Sequence, residues 1–83
     1  MKGEATVKIE GEIKNLETLG RFLQQGRLLR GLTQQQLAEK LGISQSYIWQ
    51  IETGHPTIYA SRLFELMRET GVHLKAEIDR DVD

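Results

Sequence analysis

Eighty-three residues, 39% apolar and 28% charged, describe one small globular domain and argue against a disordered chain or a large enzyme. There is no cysteine, which removes disulfides and thiolate metal sites, and no run of about 18 apolar residues offers a membrane span. The formal net charge of −1 is unevenly spread: residues 1–18 hold three Lys/Arg against four Asp/Glu, residues 19–54 four against two, and residues 55–83 four against six. The central block is thus the only positive one, by a margin that gives weak phosphate attraction on its own. The start of the chain lacks a signal-peptide pattern, so a cytoplasmic location is expected.

In chain order, Val7, Ile9 and Ile13 alternate with Lys8, Glu10 and Glu12 within an N-terminal extension, residues 1–14, a period-two pattern that predicts a half-buried strand. Asn15 is placed to cap a first helix from Leu16 to about Arg30, with Leu16, Leu19, Phe22, Leu23 and Leu29 as its apolar stripe. Gly31 ends that helix. Thr33 caps a second helix, Ser44 caps a third that stops at Gly54, and His55-Pro56 enforces an extended break. A fourth helix begins between Thr57 and Ala60 and closes at Gly71, with Leu63, Phe64, Leu66 and Met67 as its expected buried side. Beyond it Val72, Leu74, Ala76 and Ile78 alternate with polar residues, predicting a strand over 72–79 and leaving an acidic tail at 80–83. A lone strand needs a neighbour, either the N-terminal strand or the same strand of a second copy across a two-fold axis.

The informative stretch is TQQQLAEKLGISQSYIWQIE, from Thr33 to Glu52. Leu37, Ala38 and Leu41 give one apolar stripe, Ile48 and Ile51 a second, and Gly42 between them suits the sharp bend of a helix-turn-helix. Gln45, Ser46, Tyr47 and Gln50 fall on the outer face, with amide and hydroxyl groups that match base edges in a major groove. Gln34 starts the second helix, where free N–H groups and the helix dipole favour an anion. Thr33 and Thr53 flank the same face as secondary phosphate candidates, with capping and turn roles as the stronger reading. Trp49 lies on the outward side of the third helix, open to DNA, to a partner subunit or to packing on the first helix. His55 and His73 have no accompanying ligand set, so neither a metal nor another cofactor is expected.

These residues resemble the Cro/C1-type helix-turn-helix family of phage and bacterial repressors. The resemblance runs from Leu19 to Val72 and is carried by Arg27, the run GLTQQQLAEKLGIS from Gly31 to Ser44, and Ile48, Ile51, Glu52 and Gly54. Gly26 departs from the family, which has a larger core residue there. The downstream stretch GHPTIYASRLFELMRETGVHLKAEI, from Gly54 to Ile78, looks like the HipB-type antitoxins. The resemblance implies a mainly α, four-helix lambda-repressor-like domain over 15–71, with short N- and C-terminal β-strands pairing in a dimer. It implies that Gln34 clamps a phosphate and that Arg27 and Glu52 form a buried structural ion pair. It further implies a non-enzymatic homodimer with Val72, Leu74, Ala76 and Ile78 at its interface, binding an inverted-repeat operator in double-stranded DNA and a HipA-like kinase toxin. A free-standing repressor without a toxin, or an interaction module that has lost DNA binding, stay open as alternatives.

Overall fold

The computed structural model describes residues 6–81, in the order β1 (Thr6–Ile13), α1 (Leu16–Leu29), α2 (Gln34–Leu41), α3 (Gln45–Glu52), α4 (Ile58–Thr70) and β2 (Leu74–Asp81). The part of the N-terminal extension before Thr6, and the last two residues of the expected tail, lie outside the described residues. All four helices begin at capping side chains, of which Asn15, Thr33 and Ser44 are the caps expected from the sequence. Asn15, Thr33, Ser44 and Thr57 each accept from the backbone N–H three residues on, at 2.8, 3.0, 3.1 and 3.1 Å. The α1 helix closes at Leu29, with Arg30 as its C-cap.

The two strands pair with each other, antiparallel, in a two-stranded sheet with Ile9 opposite Ile78, Gly11 opposite Ala76 and Ile13 opposite Leu74. That register puts the apolar residues on one face, against α1, where Phe22 lies over Gly11 and Ile78 approaches Gly26. The other face carries Lys8, Glu10, Glu12, Lys75, Glu77 and Asp79. Glu10 stands opposite Glu77, and that repulsion is met diagonally by Lys8, whose ammonium lies 3.0 Å from the Glu77 carboxylate.

Two expectations need correcting. The C-terminal strand starts at Leu74 and runs through Asp81, so Arg80 and Asp81 are ladder residues opposite Val7 and Thr6, not tail. The partner strand reaches that far and pairs with them. On α4 only Phe64 is buried and Met67 half-buried; Leu63 and Leu66 are exposed, Leu66 at 61%. The helix meets the rest of the domain through Phe64, near Ile13 and Leu16, and no described element covers its other apolar side. The core is correspondingly thin: Ile13, Ala38, Ile48 and Phe64 are the apolar side chains buried among the described residues.

Candidate nucleic-acid interface

The second and third helices are joined by a turn whose geometry follows from three local features. Gly42 adopts a left-handed conformation, φ +70°, closing α2, and the Ile43 N–H returns to the Ala38 carbonyl at 3.0 Å. Ser44 then starts α3 at once. At the other end, Thr33 and Gln36 exchange side-chain and backbone hydrogen bonds in a capping box that fixes the start of α2. Ala38, 4% exposed, is small enough for α3 to cross over α2 at close range. Where α3 ends it touches α1 just as closely: a Cβ on Gly20 would overlap the Ile51 and Glu52 carbonyls.

On α3, Ile48 and Glu52 point inward and are buried. Gln45, Ser46, Tyr47 and Trp49 are exposed, and Gln50 is half-buried. The four residues proposed from the sequence to read bases are therefore together on one projecting helix. Ile51, expected to face inward beside Ile48, is 40% exposed.

The inward anchor is ionic. The Arg27 guanidinium grips Glu52 through Nε at 2.5 Å and Nη2 at 3.0 Å, and its Nη1 donates to the Leu32 carbonyl at 2.8 Å. Both side chains are almost sealed from solvent, 8% and 4% exposed. Burial alone would push the Glu52 carboxyl up. Hydrogen bonds from Arg27 and Gln34, with the Arg27 charge, outweigh it and hold Glu52 below the ordinary carboxylate range. The hydrogen bond to Glu52 likewise raises Arg27, against the opposing effect of burial.

Gln34 joins this anchor to the outer face. Its Nε2 donates to Glu52 Oε1 at 3.0 Å, and its Oε1 accepts from Gln45 Nε2 at 3.4 Å. A polar chain thus runs from Arg27 through Glu52 and Gln34 to Gln45. Sequence spacing gives no sign of this link, because nothing in a run of three glutamines says which one turns inward. Thr33 uses its hydroxyl as a cap, and the Thr53 hydroxyl donates to the Trp49 carbonyl at 2.8 Å. Of the histidines, His55 sits in the loop after α3, and His73 lies 3.0 Å from Glu12 on the exposed sheet face. No group able to hold a metal ion occurs among the described residues, nor is any described helix long and apolar enough to cross a membrane.

Residues 23–76, from mid-α1 into β2, match the helix-turn-helix family. The chain belongs to the Cro/C1-type helix-turn-helix family. No curated protein and no solved structure matches it. As a Cro/C1-type helix-turn-helix protein it is a DNA-binding transcription regulator, from a family of regulators and not of enzymes. The ligand of such a protein is double-stranded DNA.

Proposed function

We propose that the protein is a homodimeric, sequence-specific repressor whose two α3 helices enter successive major grooves of an inverted-repeat operator. The observation that carries this reading is the two-sided character of α3: Ile48 and Glu52 lock it to the domain while Gln45, Ser46 and Tyr47 are exposed and Gln50 is half-buried on the side away from Ile48 and Glu52. In this reading Gln45 and Gln50 bond adenine N6 and N7, each worth roughly 1–3 kcal/mol of discrimination, and Ser46 and Tyr47 fill the same groove. The start of α2, with the backbone N–H of Gln34 and the Thr33 hydroxyl, faces a phosphate, and Thr53 flanks the other end. Two-fold symmetry sets the half-sites about 34 Å apart.

The repressor is further the antitoxin of a type II toxin–antitoxin operon, repressing its own promoter and binding a HipA-like kinase toxin. Two features support this: the likeness of Gly54 to Ile78 to HipB-type antitoxins, and exposed Ile58, Tyr59 and Leu66 on α4, an apolar surface separate from α3. Selection of bound sequences from a random duplex pool tests the repressor reading, and a palindromic consensus is expected. Enrichment without symmetry would overturn the dimeric arrangement, and no enrichment would overturn sequence-specific reading. Co-purification of a kinase encoded by the adjacent gene is expected for the antitoxin role; purification of the protein alone from a strain expressing both genes would remove it.

A further inference from the structure

We propose that Trp49 is the non-ionic grip of the recognition helix on the DNA backbone: its ring packs on a deoxyribose and its indole N–H donates to a phosphate. The contact falls on the strand that the start of α2 faces. The inference rests on α3 entering the major groove, as proposed above.

The helix-turn-helix is short of cations. Residues 33–54 contain Lys40 alone, against Glu39 and Glu52, and α3 itself has neither Lys nor Arg. Counterion release by cations therefore contributes little backbone affinity here. Half or more of protein–DNA hydrogen bonds nonetheless go to phosphate and sugar, and neutral donors can make them.

Trp49 is 53% exposed on α3, and its indole N–H makes no hydrogen bond among the described residues. A ring of that size left in water gives up apolar burial that a partner would supply, and its polar edge suits a surface that is part apolar and part wet.

Successive helical residues turn by about 100°, so Gln45, Trp49 and Thr53 share one flank of α3, and Ser46 and Gln50 form the outermost line. The outermost line meets the groove floor, and a residue about a quarter-turn away meets the wall, which is sugar and phosphate. The Gln45 side chain donates to Gln34, the first residue of α2, so this flank is the one turned to the start of α2. Tyr47 lies on the opposite flank.

Trp49 is the only tryptophan in the chain, so its emission reports on this position alone. The test titrates the full-length protein with a labelled random-sequence duplex and with a selected palindrome, reading duplex anisotropy and tryptophan emission together, for wild type, W49F, W49A and Q50A. Quenching by both duplexes is expected. W49A should weaken binding to both by a similar factor, roughly five- to tenfold, with an unchanged salt slope because no cation is lost. W49F, which keeps a ring but loses the donor, should fall between, while Q50A should weaken the palindrome alone. Thermal melts confirm that each variant is folded.

Binding by anisotropy with unchanged emission would overturn the inference and leave the DNA reading intact. So would a loss in W49A confined to the palindrome, which would make Trp49 a base reader. Emission that shifts with protein concentration and not with DNA would place Trp49 between copies of the chain and overturn it too. Failure of the wild type to bind either duplex would remove the DNA reading and this inference together.

Discussion

At the scale of single residues, the Arg27–Glu52 pair governs how α3 is held. Its net stabilisation is modest because desolvation offsets the attraction, but removing one partner strands a buried charge. Arg27→Ala is therefore expected to lower the unfolding free energy by about 3–5 kcal/mol, whereas Arg21→Ala, at an exposed position, changes it by less than about 0.5 kcal/mol. Urea unfolding monitored by circular dichroism checks both. The same pair sets an acid limit. Glu52 is held below its ordinary range in the folded state, so the unfolded chain takes up that proton first as pH falls. The contribution is complete above the unfolded carboxyl value of about 4.3 and drains away as pH falls through the lower folded value. Glu52→Gln should flatten that part of the stability–pH curve. A second residue acts oppositely. Gly26 lies inside α1, where it lowers helix propensity, and a Cβ there would meet nothing nearer than Ile78 Cγ2 at 4.0 Å. Gly26→Ala should therefore stabilise by about 1 kcal/mol, raising the urea midpoint without altering the slope.

At the scale of elements, capping and phosphate binding at the start of α2 can be separated experimentally. Thr33 accepts from the Gln36 N–H within the capping box. Aspartate caps equally well and suits the helix dipole, yet its charge repels a phosphate. Thr33→Asp is thus expected to keep the melting temperature within about 3 °C while weakening duplex binding by at least roughly tenfold. Thr33→Ala should instead lose about 1 kcal/mol of stability with a smaller effect on binding. If both variants bound DNA like wild type, the start of α2 would have no phosphate role. The caps also show why the helices were legible in the sequence: Asn15, Thr33, Ser44, Thr57 and the turn at Gly42 act on backbone within a few residues of themselves. What was not legible depends on distant chain. The periodicity of Leu63 and Leu66 marks an apolar side of α4 but not whether anything covers it. Alternation over Leu74 to Ile78 predicts a strand, yet its pairing with β1, and hence its extension to Asp81 opposite Thr6, is set at the far end of the chain. The polar face of α3 could be read from spacing alone, whereas Gln34's turn toward Glu52 needed the fold that packs the start of α2 against the end of α3.

At the scale of the whole molecule, a thin core and an uncovered apolar surface pose one problem. Few apolar side chains are buried, while Leu23, Leu41, Leu66 and Val72 are exposed, and an uncrosslinked chain of this size has little stability in reserve. A second copy offers cover. The β1–β2 sheet has two strands, so β2 keeps an outer edge with no partner among the described residues. Pairing β2 with its two-fold mate would make a continuous four-stranded sheet and bring Val72 and Leu74 to the seam. Of the four interface candidates, Leu74, Ala76 and Ile78 share the face turned to α1. Ala76 and Ile78 are only partly exposed whereas Leu74 and Val72 are exposed, so the edge backbone, Val72 and Leu74 would carry the association. Val72→Asp with Leu74→Asp should therefore give a monomer by sedimentation equilibrium, with the helical circular dichroism retained. Affinity for a palindromic operator should fall by about a hundredfold or more, since the second half-site is no longer bound intramolecularly. Binding to a single half-site should barely change. Truncation after Gly71 is a less selective experiment, because it also strips Ile78 from α1 and unpairs β1. The double aspartate variant leaves both in place, so an unchanged dimer would mean that the copies meet elsewhere, with the exposed side of α4 the next surface to mutate.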